Sequence, residues 1–147
     1  MKKLLIPLAL LLLLVCGCNA GKTMIEEQEN VSKITVVSDY TNTPAQTFTA
    51  KDAVNDDQIQ SVTKFINTIA VGEPAETIYG GTSVLFLIYE GDTVTKRVAL
   101  YPQDGAAVID GVTYAFEAKE SLSSIFASFD LPERQISSAQ IDPLLSE

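Results

Sequence analysis

Apolar positions along residues 32–130 repeat with two periods, one of about two residues and one of about 3.6. Residues 33–38 (KITVVS) are rich in β-branched side chains and predict a first strand. Residues 39–46 (DYTNTPAQ) are turn chemistry, and a short strand is expected at 47–50. Asn55 then has the character of a helix N-cap, with Gln58 in the capping-box position and Asp56 and Asp57 at the positive end of the dipole. Ile59, Val62, Phe65, Ile66 and Ile69 share one helical face, which carries the helix to about Ala70, and Gly72 and Pro74 end it.

After a loop over 75–81, ending in Gly80-Gly81, the period falls to two. Strands are expected at 82–89 (TSVLFLIY), 94–101 (VTKRVALY), 106–109 and 112–116 (VTYAF). The turns between them are Glu90-Gly91-Asp92, residues 102–105 (PQDG), and Asp110-Gly111, the last a two-residue type I′ signal. A second helix at about 118–129 puts Leu122, Ile125, Phe126 and Phe129 at i, i+3, i+4 and i+7. Residues 131–147, with Pro132 and Pro143, read as a loose C-terminal tail in which Ile141, Leu144 and Leu145 are available to dock.

These elements predict an α+β fold: an antiparallel meander sheet with two amphipathic helices packed on one face, in two layers. The strand 82–89 departs from simple alternation. Val84, Phe86 and Ile88 point one way, Leu85, Leu87 and Tyr89 the other, so the strand should be central and apolar on both sides. If both helices cover one face, Leu85, Leu87, Tyr89 and neighbouring Tyr101 remain on the other as a candidate partner-binding face. The alternative is that the first strand, the 39–50 segment or the tail covers that face.

The N-terminus changes the picture. Lys2 and Lys3 precede an apolar run from Leu4 to Val15, interrupted by Pro7. As helix this run would rise about 18 Å, short of the roughly 30 Å hydrocarbon core, so it reads as a signal-peptide apolar region. Val15-Cys16-Gly17-Cys18 resembles the bacterial lipobox, in which a small residue precedes the cleaved bond and a cysteine sulfur carries diacylglycerol. Gly17 meets the small-residue requirement, so cleavage between Gly17 and Cys18 and lipidation of Cys18 are expected. Residues 1–17 are then the signal, 18–31 a lipidated N-terminus with a flexible acidic spacer, and 32–130 a single domain. Loss of Lys2 and Lys3 lowers the basic count from 10 to 8 against 19 acidic residues, and the net charge falls from −9 to −11. Such a surface repels nucleic-acid phosphates, so no nucleic acid is expected as a partner. Acyl chains on Cys18 would do the membrane anchoring.

Candidate chemistry is sparse. The chain has no histidine, and its two cysteines are either removed with the signal or alkylated. That excludes Ser-His-Asp and Cys-His catalysis. Ser61-Val62-Thr63-Lys64 matches an S-x-x-K pattern, but no S-D-N or K-T-G companion exists. Gly21-Lys22-Thr23 lacks the first glycine and the preceding strand of a P-loop. Glu90, Asp92 and Asp110 lie in alternate turns of the meander, hence at one end of the sheet, and are the candidate oxygen ligands for a metal such as calcium. The expectation remains no catalytic residues, no metal and no cofactor.

The lipobox, early strand, I-x-x-V-x-x-F-I helix (Ile59, Val62, Phe65, Ile66), Y-x-G and D-G turns and closing amphipathic helix together resemble the YhfM-like small lipoproteins of Gram-positive, spore-forming bacteria. The resemblance spans roughly residues 32–130. It implies the outer side of the plasma membrane as location and contributes no catalytic residues. In a Gram-negative host, Asn19 after the lipidated cysteine would shift the expectation to the outer membrane. The function expected is a non-enzymatic, membrane-anchored interaction or sensory domain of the cell envelope with an envelope protein as partner. The alternative is a small-ligand, peptide or cell-wall-fragment binding lipoprotein with a groove between sheet and helices, and a more distant one is a carboxylate-dependent hydrolase.

Overall fold

A computed structural model describes residues 25, 30–76 and 80–145. Eight strands form one antiparallel sheet: β1 (Lys33–Tyr40), β2 (Thr47–Ala53), β3 (Val71–Pro74), β4 (Ser83–Glu90), β5 (Thr93–Tyr101), β6 (Ala106–Ile109), β7 (Val112–Phe116) and β8 (Glu133–Ser137). Three helices accompany them among the described residues: α1 (Asp56–Thr68), α2 (Leu122–Ala127) and α3 (Ser138–Leu145). The fold is α+β. Strand order is β3-β7-β6-β5-β4-β1-β2-β8, so the meander β4–β7 stands beside β1 and β2, and β3 and β8 close the edges.

Local chemistry explains the elements. The Asn55 side chain accepts from the Gln58 amide while the Gln58 side chain accepts from the Asn55 amide, a complete capping box that starts α1. Asp110 and Gly111 adopt φ of +47° and +81°, as a type I′ hairpin requires. β4 is the interior strand anticipated from its double apolar pattern, and every residue from Ser83 to Tyr89 is buried between β1 and β5. Val84, Phe86 and Ile88 join a buried cluster with Ile34 and Val36 of β1, Val62 and Ile66 of α1, and Leu122 and Ile125 of α2. Leu85, Leu87 and Tyr89 join a second cluster on the opposite face, with Tyr40, Phe48, Ile136 and Ile141.

Several expectations need correction. Within the tail expected over 131–147, residues 133–145 form regular structure: β8 pairs with β2 from Thr47↔Ser137 to Lys51↔Glu133, and α3 seats Ile141 in the second cluster. β8 is an edge strand carrying Glu133 and Arg134, a charged edge that discourages pairing with other chains and also hides the strand from a hydrophobicity pattern. Residues 71–74 are a strand, not the loop after a helix. β3 pairs only with β7, and an edge tolerates Pro74.

The second helix is shorter than 118–129, because local polar groups set both ends. The Ser121 side chain accepts from the Ser124 amide as N-cap. At the other end the buried Lys51 ammonium donates to the carbonyls of Phe126 (3.1 Å) and Phe129 (2.7 Å), with Glu133 3.7 Å away. The spacer over 18–31 is not free along its whole length. Ile25 is 2% exposed, its amide donates to Asn67 Oδ1 at 2.9 Å, and its carbonyl accepts from Asn67 Nδ2 at 3.0 Å.

Two substitutions test this packing by urea denaturation. Leu87→Ala, at a fully buried position, should destabilise the fold by about 2–5 kcal/mol, and a loss near zero would mean that the second face is not core. Lys51→Met keeps the aliphatic volume but leaves two carbonyls without their donor. It should lower stability by about 2–3 kcal/mol.

Candidate binding site

Two adjoining hollows lie where the ends of β5 and β7 meet the helices. The inner one, of about 130 Å³, is apolar: Phe65, Ile69, Leu100, Phe116 and Ile125 line it, and Thr68 and Ala70 stand beside them. The 3.6-residue repeat of α1 brings Phe65 and Ile69 to this end, and Ile69 forms the C-cap, its amide donating to the Ile66 carbonyl. Leu100 and Phe116 come from β5 and β7. The outer hollow, about 450 Å³, is polar and open, lined by Asp39, Thr82, Gln103, Ser121 and Ser123 among others. Lys119 and Glu120 line both hollows, so a cation and a carboxylate stand between the apolar slot and the polar cleft.

The connection from β7 to α2 builds that rim. Residues 117–121 (EAKES) must leave the sheet before Ser121 can cap the helix, so their side chains project around the opening. Asp39 sits in a β1 irregularity between Val37 and Tyr40, with φ +50°. Asp104 accepts from the amides of Gly80 and Gly81 at 3.4 and 3.3 Å, which ties the segment entering β4 to the β5–β6 turn. An inner slot of this size is comparable to a cavity of about 150 Å³ that takes a benzene-sized group. The outer cleft is within the usual range for small-ligand sites, about 300–1,000 Å³. The pair can therefore accept one apolar side chain or ring together with polar groups attached to it.

The groups anticipated from sequence fare differently. Gly17 and Cys18 lie outside the described residues. Leu85, Leu87 and Tyr89 do not form a partner-binding face: they are 2%, 0% and 6% exposed, sealed by β2, β8 and α3, with Tyr101 half-buried against the same cluster. Glu90, Asp92 and Asp110 do not converge. β5 overhangs β6, so Asp110 donates its amide to Arg97 and accepts the Arg97 amide, five residues, or about 17 Å, along the strand from Asp92. Among the described residues no group of three or more acidic, histidine or cysteine side chains is placed to hold a metal ion. Ser61 and Lys64 are exposed on the outer side of α1, beside Gln60 and Asn67. The slot escaped sequence reading because Phe65, Ile69, Leu100 and Phe116 carry the same periodicity as core residues. The rim residues 118–120 (AKE) fall inside the span that the sequence predicts as the second helix.

Displaced pKa values concentrate on the second face. Burial raises the Tyr40 and Tyr89 phenols, with the Asp142 carboxylate adding to the rise at Tyr40. Burial also pushes the Asp52 carboxyl upward. Hydrogen bonds from Arg134 and Thr35, with the Arg134 charge, outweigh it and hold Asp52 below the ordinary carboxylate range. Arg134 grips Asp52 through Nε and Nη2, the latter at 3.1 Å, and Thr35 donates at 2.6 Å. This polar clasp joins β1, β2 and β8 and fastens the C-terminal strand to the sheet. No protein-family model, curated protein or solved structure matches the chain. No helix among the described residues is long and apolar enough to cross a membrane.

The depressed Asp52 carboxyl fixes the sign of an acid response. Its contribution is complete above the unfolded value, near pH 4, and vanishes as pH falls through the lower folded value. Asp52→Asn should therefore lower stability at neutral pH and flatten the loss of stability below about pH 4, as read from urea midpoints. Parallel wild-type and variant profiles would show that the clasp carries no linkage.

Proposed function

We propose that this protein is a non-enzymatic lipoprotein held outside a membrane by acyl chains on Cys18, and that its domain binds a small ligand or peptide in the helix–sheet groove. The observation that carries the ligand reading is the pairing of an apolar slot with a polar cleft across Lys119 and Glu120. A flat apolar surface for a protein partner has less support. Among the described residues the exposed large hydrophobics are Val54, between β2 and α1, and Val112, the first residue of β7, and the face of Leu85, Leu87 and Tyr89 is interior. In this reading α1 and α2 form a layer over one side of the sheet, and the slot is the gap they leave at its edge.

A ligand that fits is one presenting a single leucine- or phenyl-sized group next to charged or hydrogen-bonding atoms, such as a short peptide or a cell-wall peptide stem. The slot is too small for a lipid acyl chain. The rim sets Lys119 against Asp39, Glu117 and Glu120, which suits a peptide with a free amino group better than a polyanion, and the strongly acidic mature chain argues the same way. The lipobox and the resemblance to the YhfM-like lipoproteins support the extracytoplasmic location.

Two measurements test the reading. Wild-type protein expressed with its signal should incorporate labelled palmitate and enter the detergent phase of Triton X-114, and Cys18→Ser should do neither. Wild type partitioning into the aqueous phase would end the anchor proposal. Separately, titration with leucyl-phenylalanine should shift NMR resonances of Ile69, Leu100, Phe116 and Ile125. Thr68→Trp, which places a ring at the slot, should weaken that binding by about tenfold or more. Shifts clustered elsewhere would reject the groove.

A further inference from the structure

We infer that α1 is the bilayer-facing side of the domain, held there because the chain between the lipid and Ile25, the first described residue, is shorter at full extension than the domain is wide. The inference rests on the proposed lipidation of Cys18. Its structural support is the clasp at Ile25, whose amide and carbonyl both pair with the Asn67 side chain near the C-terminal end of α1. Ile25 is buried among the core residues of that side, so the tether is fastened by packing as well as by hydrogen bonds.

Contour length decides the geometry. From Cys18 to Ile25 the chain takes seven steps, which span at most about 24 Å when fully extended. A compact domain of this length has a radius of gyration of about 13 Å, hence a diameter of about 35 Å. The point of attachment can never become the pole farthest from the membrane. Averaged over the orientations the tether allows, the α3 side, across the sheet, is the more distant one. Without the clasp, the next described backbone hydrogen bond to the domain is at Ser32, whose amide donates to the Tyr89 carbonyl at 2.8 Å. Fourteen steps would then reach about 48 Å, longer than the domain, and the orientation would be lost.

Asp56 and Asp57 occupy the first turn of α1, whereas Asn67 lies in its last turn, about 15 Å away along the axis. Lys64 and Asp57 both line the hollow beside Ile25, so this side meets the headgroups with mixed charge. Thr68 and Ile69, which line the slot, directly follow Asn67. The slot therefore opens near the headgroup level, where a ligand tethered to or concentrated at the membrane surface meets it.

The test uses the full lipidated protein in liposomes of phosphatidylglycerol and phosphatidylethanolamine containing a headgroup-labelled acceptor lipid. Donor dyes are placed on Gln60→Cys, at the outer side of α1, or on Ala139→Cys, on α3, both exposed. The Gln60 site should show transfer at least about twofold higher, because the two sites differ in height by most of a domain diameter. Asn67→Ala, or a Gly-Ser insertion of six residues after Asn19 that leaves the clasp intact, should bring the two efficiencies together. Equal transfer from both sites in the parent protein, or no response to either change, overturns the inference while leaving the anchor standing. Protein that fails to associate with liposomes overturns the anchor, and the orientation with it.

Discussion

The constraint from which the architecture follows is a central strand with no polar side. β4 presents Val84, Phe86 and Ile88 to one face and Leu85, Leu87 and Tyr89 to the other. Burying one large aliphatic or aromatic side chain is worth about 1.5–3 kcal/mol, so leaving three of them in water would forfeit much of a small domain's stability. Helices on one side cannot solve this. The chain must also cover the other side, and it does so with residues 133–145: β8 extends the sheet beyond β2, and α3 inserts Ile141. Folding of the C-terminus is thereby coupled to the strand at the middle of the sheet.

That coupling explains where the polar reinforcement sits. β8 is joined to the sheet along its backbone by β2 alone, and its two charged residues face opposite ways across the pairing. Arg134 and Thr35 both close on Asp52 on one face, while on the other the neighbouring Glu133 approaches Lys51, whose ammonium holds the end of α2. Adjacent residues of β2, Lys51 and Asp52, thus fasten a helix on one side and a strand on the other. Alternation along a strand makes this possible, since neighbours in sequence serve opposite layers.

Most of the fold was legible where the signal was local. The α1 capping box, the type I′ turn at Asp110-Gly111 and the double apolar pattern of β4 each rest on residues within a few positions of one another. What escaped was set by distant partners. Residues 133–137 become a strand because β2 offers an unpaired edge 82 positions away for Arg134 and Asp52, and nothing in ERQIS alone requires it. Residues 71–74 pair with β7 for the same reason, and a helix-ending Gly and Pro conceal the strand. The slot was illegible for a different reason: Phe65 and Phe116 differ from core residues only in lacking complete cover, which depends on how far the 117–121 connection swings out. The supposed partner face failed because alternation reports which residues share a face and says nothing of what lies over it.

Covering both sides of the sheet has a consequence for how such a domain can work. Among the described residues the exposed large hydrophobics are Val54 and Val112, so the proposed recognition rests on a small recess and not on a broad apolar face. The recess forms here where two requirements conflict. α1 must stop at Ile69 so that the chain can reach β3, and α2 cannot begin before Ser121 caps it. Between those two ends Phe116 is left incompletely roofed above the buried Leu100, and the intervening Glu117, Lys119 and Glu120 supply charge at the rim. Lengthening either helix by a turn would complete the core and erase the slot. The gap is therefore a product of where capping residues stand, which ties the recess to the same local chemistry that defines the fold.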